Sequence, residues 1–152
     1  MRLTRFSDFG LRVLMYLTHE RDTPVTIAEI AQQFDVPHNH LVKVANRLGK
    51  LGWVTAIRGR NGGLILGVPA DTLRLGEVIQ QLEECDTLVD CDETPCTLRG
   101  RCLLKGALNA GLAAFYDKMN EYSLADVCRG RTGTAIVSLH RDFMSALGAG
   151  HA

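Results

Sequence analysis

Three of the chain's five cysteines stand within one short stretch, CDETPCTLRGRC, with four residues between Cys91 and Cys96 and five between Cys96 and Cys102. Thiolates are soft ligands and good nucleophiles, so this spacing admits three chemistries. Structural zinc draws on paired ligands of the C-x-x-C type and closes its shell with four residues, and no such pair is present. A thiol switch uses two cysteines and leaves the third unexplained. An iron-sulfur cluster is larger than a single ion, so thiolates strung along a wrapping loop can each reach it. Pro95 and Gly100 let such a loop bend, while Arg99 and Arg101 offset the negative charge of thiolate and sulfide. The spacing favours a cluster over zinc and leaves both open.

Five is an odd number that a closed disulfide framework cannot use up. The opening MRLTRFSDFGLRVLMYL sets Arg2, Arg5, Asp8 and Arg12 among its apolar residues, so it lacks the apolar core of a signal peptide. No run reaches the roughly 18 apolar residues of a membrane span. The expected location is the cytoplasm, where thiols stay reduced and metal or redox roles gain on disulfides. Cys85 and Cys128 lie outside the motif and read as small buried thiols.

Other chemistry is hard to find. The turn Gly59-Arg-Asn-Gly-Gly63 lacks the Lys-Ser/Thr pair and following helix of a nucleotide loop. The five histidines are scattered, and no Ser-His-Asp or Cys-His arrangement is legible, which argues against an enzyme. Charge is more informative. The formal net charge is zero, yet Val36 to Ala70 contains no Asp or Glu while holding Lys43, Arg47, Lys50, Arg58 and Arg60. Acids return around the cysteines with Asp86, Asp90, Asp92 and Glu93. A cationic block of this kind is the electrostatic footprint of phosphate-backbone binding.

The elements that must carry these residues follow from periodicity. A chain of 152 residues holds one ordinary domain, or a small domain with an oligomerisation arm. Phe6, Phe9, Val13 and Leu17 predict a first helix over 6–20, capped by Ser7 or Asp8. In TIAEIAQQFD, Thr26 and Glu29 predict a capping box opening a helix over 27–34, with Ile27, Ile30, Ala31 and Phe34 on its buried face. Val36-Pro37 breaks that helix. A third helix over 38–50 buries Leu41, Val44, Ala45 and Leu48 and ends at Gly52. Strands over 53–58 and 64–68 flank the glycine turn, whose glycines permit positive φ.

This is a mainly α fold: a winged helix-turn-helix with a small β-hairpin wing, plus a long C-terminal dimerisation helix. DNA contacts fall to His38, Asn39, His40 and Lys43 on the third helix and to Arg58, Arg60 and Asn61 on the wing. Arg47 and Lys50 read as solvated charges that raise the local potential. Leu75, Val78, Ile79 and Leu82 predict a short helix ahead of the cysteines. After Cys102, Leu104, Leu108, Gly111, Phe115, Met119 and Tyr122 trace a seam suited to pairing two copies, or to the core face of one helix. Gly106 and Gly111 each cost that helix about 1 kcal/mol relative to Ala, which packing must offset. Ser123 caps a brief helix, and the Gly- and Ala-rich end reads as a frayed tail. The organisation is therefore residues 1–84 for DNA binding, 85–102 for the cluster loop, 103–128 for the dimerisation and short following helices, and 129–152 for the tail.

Over nearly its whole length the chain resembles the NsrR group of winged-helix iron-sulfur repressors, sister to the IscR cluster regulators. The resemblance is carried by MRLTRFSDFGLRVLMYL, by NHLVKVANRLGKLGWVTAIRGRNGG, by the LxLGEVI helix at Leu73 to Ile79, and by C-x4-C-x5-C. It implies a homodimer that represses nitric oxide detoxification genes while holding a 4Fe-4S cluster, and that leaves its operator when nitric oxide nitrosylates the cluster. It also implies the ligand set: Cys91, Cys96 and Cys102 from one subunit, with Asp8 from the other. Chemistry alone gives Asp8 two further roles, a helix cap or an i, i+4 pair with Arg12. The IscR-like pattern has a histidine three residues after the third cysteine; here that residue is Lys105, which argues against a 2Fe-2S arrangement. Two other readings use the same loop: a regulator sensing iron-sulfur status or redox state, and a zinc-stabilised interaction module without DNA binding.

Overall fold

The computed structural model describes residues 2–83, 87–91 and 96–149. Cys85, Pro95, Asp86, Asp92, Glu93 and His151 lie outside the described residues. The order is α1 (Arg5–Tyr16), α2 (Ile27–Phe34), α3 (His38–Lys50), β1 (Val54–Ile57), β2 (Gly63–Leu66), α4 (Leu75–Glu83), α5 (Leu103–Met119), α6 (Leu124–Val127) and α7 (Gly130–Ala149). The architecture is mainly helical with one antiparallel hairpin, as expected.

Helix α1 begins one residue before the expected 6–20 span and ends at Tyr16, about one turn short of it. Thr4, and neither Ser7 nor Asp8, is the cap: its hydroxyl accepts from Ser7 N. Ser7 is instead buried, and Asp8 is drawn aside by the Arg12 guanidinium, which donates to both carboxylate oxygens at 3.0 and 2.8 Å. In α2 only half of the capping box forms. Thr26 accepts from Glu29 N at 3.1 Å, while the Glu29 side chain turns inward. Asp35 then takes the left-handed conformation (φ 50°), so α2 stops just before Val36-Pro37. Helix α3 runs as expected from His38 and buries Leu41, Val44, Ala45 and Leu48. Gly52, with φ 75°, turns the chain out of it.

The hairpin pairs Val54 with Leu66 and Ile57 with Gly63, and Val25 adds an isolated bridge to Leu64. At its tip only Gly59 has positive φ (113°). Gly62 is required for a different reason: a Cβ there would strike the Ile57 carbonyl. Inside the hairpin and the helix-turn-helix lies the main core, from Val13 and Leu14 through Ile30, Leu41 and Leu48 to Leu64, Val78 and Leu82.

Helix α4 joins this unit to α5. Val78 and Leu82 pack into the main core, while Ile79 meets Leu112 and Tyr116 of α5 in a second cluster. A Cβ at Gly76 would strike the Tyr116 carbonyl and the Asn120 side chain, so only glycine allows this approach. The Asn120 amide oxygen in turn accepts from Glu77 N at 2.9 Å. Helix α5 stops at Met119, short of Tyr122, because the following segment pairs back: Tyr122 O accepts from Leu75 N, and Leu124 N donates to Leu73 O. Ser123 and Asp126 form a complete capping box on α6.

The segment expected to be a frayed tail is α7, a 20-residue helix. His140 anchors it. The ring is 3 % exposed and stacks on Tyr16 with centroids 3.8 Å apart. Its Nε2–H donates to Tyr16 O at 2.9 Å, which leaves Nδ1 to accept from Arg21 at 3.2 Å and makes the ring the neutral tautomer. Beneath it, Glu29 accepts two hydrogen bonds from Arg21 (2.8 and 2.6 Å) and one from the Tyr16 hydroxyl (2.7 Å). Burial lowers the His140 pKa, reinforced by Arg21 and His19 and opposed by Tyr16 O and Glu29. Composition hid this docking, because the Gly- and Ala-rich end masks one histidine that pairs with residues over a hundred positions earlier.

His140→Ala should lower stability by about 2 kcal/mol in urea unfolding, since it removes a stacked ring and leaves the Tyr16 carbonyl unpaired. A His pKa depressed in the fold means that the unfolded chain binds the extra proton first, so stability falls as pH drops below about 6.5. That fall should be shallower in His140→Ala. Gly76→Ala should destabilise by about 2 kcal/mol, read as a lower urea midpoint, because the helices cannot close around the added methyl.

Candidate metal centre and nucleic-acid interface

Helix α5 positions the third cysteine and much of the wall that faces it. Cys102 is its N-cap residue, in extended conformation, and makes no side-chain capping hydrogen bond, so its thiol is not engaged in closing the helix. Upstream, residues 97–101 turn tightly, with Arg99 N bonded to Cys96 O, Arg101 N to Leu98 O, and Gly100 at φ 79°. These turns bring Cys91, Cys96 and Cys102 around one cavity of about 450 Å³, completed by Arg99, Gly100, Arg101, Leu103, Lys105, Gly106 and Asn109. Cys91 and Cys102 are partly buried and Cys96 is exposed. All three are free thiols.

Donor chemistry and spread together decide what fits. Among the described residues no three His, Cys, Asp or Glu side chains converge on a point that could hold one metal ion. A single zinc would need every thiolate within about 2.3 Å of it. Three thiols facing one cavity suit a larger group whose separate irons each take one ligand. The described lining contributes Arg99, Arg101 and Lys105 and no carboxylate, so its field favours an anionic guest. Asn109 belongs to the same wall, and its Oδ1 is buried without a hydrogen-bond partner among the described residues. An orphaned polar atom beside three unengaged thiols fits a bound group. Sequence reading missed Asn109; the available signal was its place seven residues after Cys102, two turns along the same helix face.

Asp8 of the same chain does not line this cavity. It sits in the first turn of α1 and is paired with Arg12, whose guanidinium also lies 6.0 Å from the Phe34 ring centroid. The pair is exposed, which makes it weak and easily exchanged.

The cationic block is carried by α3 and the wing. His38, Asn39, His40 and Lys43 are exposed on the first two turns of α3, and Arg58, Arg60 and Asn61 are exposed at the wing. The Phe9 ring of α1 stacks on His40 with centroids 6.1 Å apart, which steadies the start of α3. Arg47 is more than a solvated charge: its guanidinium donates to the Gln81 carbonyl in the last turn of α4 at 3.1 Å. Two residues on, Glu83 accepts from Thr4 N and Thr4 Oγ1 at 2.8 and 3.1 Å. The final turn of α4 therefore touches both α1 and α3 immediately before the chain enters the cysteine region. Such a surface presents a recognition helix and a basic wing to a duplex.

Comparison with known proteins agrees with this geometry. A family model described as "Rrf2: Iron-dependent Transcriptional regulator" matches residues 3–130. Among solved structures, CymR (YrzC), the global cysteine regulator of B. subtilis, is 23% identical with a TM-score of 0.65, covering 84% of this chain and 95% of its own. The oxidized form of Staphylococcus aureus CymR is 21% identical with a TM-score of 0.68, covering 86% of this chain and 98% of its own. T. potens IscR is 20% identical with a TM-score of 0.66, covering 84% of this chain and 85% of its own. These likenesses establish the shared fold, and the family model, spanning winged helix, cysteine region and α5 alike, establishes more: the chain belongs to the Rrf2 family of DNA-binding transcriptional regulators.

Proposed function

We propose that this regulator is a homodimeric repressor that senses nitric oxide through a 4Fe-4S cluster held by Cys91, Cys96 and Cys102 together with the partner subunit's Asp8. The observation that carries the reading is the single cation-lined cavity faced by all three thiols. When bound, the cluster would supply iron open to nitric oxide and a link between subunits. Residues 1–84 would read DNA, 85–102 hold the cluster, and 103–128 join the two copies. Leu103 and Leu104, 90 % and 65 % exposed at the start of α5, are surface that a second copy would cover.

The rest of the mechanism concerns this chain's own residues. Asp8 precedes Phe9, whose ring supports His40, so a change in what Asp8 binds acts beside the reading end of α3. The last turn of α4 grips α3 through Arg47 and α1 through Thr4. Rearrangement of the loop that follows would thus reach both helices. Two half-sites one helical turn apart tolerate little change in the spacing of recognition helices. A sensor of iron-sulfur status or redox state would use the same cavity, and the nature of the signal separates the readings. Membership of a DNA-binding family argues against an interaction module without DNA.

Anaerobically prepared protein should be brown, with about four iron and four sulfide per chain. Nitric oxide titration should bleach the absorbance and release an operator fragment, selected from random-sequence DNA, over the same range. A colourless protein with one zinc overturns the cluster; a cluster indifferent to nitric oxide leaves the other sensing readings. Asp8→Ala should retain the three thiols yet bind the operator more weakly when loaded. Unchanged operator binding and nitric oxide response would remove Asp8 from the ligand set. Lys43→Ala and Arg58→Ala should each weaken binding across sequences and reduce the slope of log K against log salt by about 1.

A further inference from the structure

We infer that Asn109 is a contact residue for the cluster, its side-chain amide donating an N–H to a sulfide or thiolate sulfur of the group in the Cys91, Cys96 and Cys102 cavity. The inference rests on the cluster reading above and goes beyond its ligand set. Asn109 and Cys102 line the same cavity from one face of α5, with Lys105 and Gly106 on the turn between them. A Cβ on Gly106 would meet nothing within 4 Å, so the space beside that turn is open.

The orientation of the amide supplies the argument. With Oδ1 buried and unpartnered among the described residues, Asn109 carries the desolvation cost of a missing hydrogen bond. Lys105, Arg99 and Arg101 share the lining, yet none gives this oxygen a hydrogen bond. With Oδ1 turned into the protein, Nδ2 is the polar end of Asn109 left to face the cavity, and it carries two N–H donors. Sulfurs of a cluster held by three thiolates and a carboxylate are electron-rich acceptors. Hydrogen bonds to them stabilise the added electron and help retain the cluster. The nearby cations act through distance alone, whereas the amide gives a directional contact.

The test compares the full-length chain with Asn109→Leu, close to isosteric, and Asn109→Asp, which keeps the acceptor and loses the donor. Metal-free Asn109→Leu should unfold at the same urea concentration as wild type or a higher one, since it removes only an orphaned acceptor. Once loaded, it should release iron to a chelator roughly 10- to 100-fold faster, and its reduction potential should move to more negative values. Asn109→Asp should shift both in the same direction and further. Iron release and potential unchanged in Asn109→Leu, beside a loaded wild type, would overturn the inference and leave the cluster intact. Marked destabilisation of metal-free Asn109→Leu would also overturn it, by giving the amide a protein partner. Failure of wild type to take up a cluster on anaerobic reconstitution would remove the cluster reading and this inference together.

Discussion

Glycines at two contacts bring α4 close to its neighbours. Gly10 on α1 leaves room for Leu82, whose Cδ1 lies only 2.6 Å from where a Cβ would be. Gly76 on α4 itself brings that helix against the Tyr116 carbonyl and Asn120 of α5. Burial of Val78, Ile79 and Leu82 then holds one short helix between the helix-turn-helix and the arm that carries Cys102. A packed interior transmits displacement because it has little free volume to absorb it. The cysteine cavity and the DNA-facing surface are thus placed by the same helix.

Charge is distributed unevenly along this frame. The block without carboxylates faces outward on α3 and the wing, where phosphate would be met. Carboxylates near the frame have local partners: Asp8 binds Arg12, and Glu83 binds Thr4. The described lining of the cysteine cavity has the same bias as that block, three cations and no acid. A net charge of zero conceals a cationic face on α3 and the wing and a cationic lining at the cysteine cavity.

Behind the helix-turn-helix lies the ion pair of partly buried Arg21 and fully buried Glu29, completed by Tyr16 and His140. Glu29 is 2 % exposed, and burying its charge is tolerable only because three donated hydrogen bonds replace water. Burial, with the Glu29 carboxylate beside it, pushes the Tyr16 phenol well above its ordinary pKa, so it remains a donor. Docking of α7 covers this group. The C-terminal helix therefore packs against the helix-turn-helix, with His140 bonded to Tyr16 O and Arg21.

Local rules read most of the scaffold correctly. Helix spans at 27–34, 38–50 and 75–83, the hairpin, the half-cap at Thr26 and the cap at Ser123 depend on neighbours three or four residues away, and the chain itself supplies those. The cysteine motif and the acid-free block are likewise properties of linear order. Two features depended on residues far apart in the chain, and a third on helix periodicity beyond Cys102. Glu29 left its capping box because a buried, bidentate Arg21 binds it more strongly than a helix terminus can. Helix α7 formed because His140 found the Tyr16 ring and carbonyl. Asn109 became a wall of the cysteine cavity because α5 extends from the third thiol. Sequence alone determined which segments could form and which residue types were on hand; tertiary structure decided which polar groups were satisfied, because a buried group's partner is chosen by position in space.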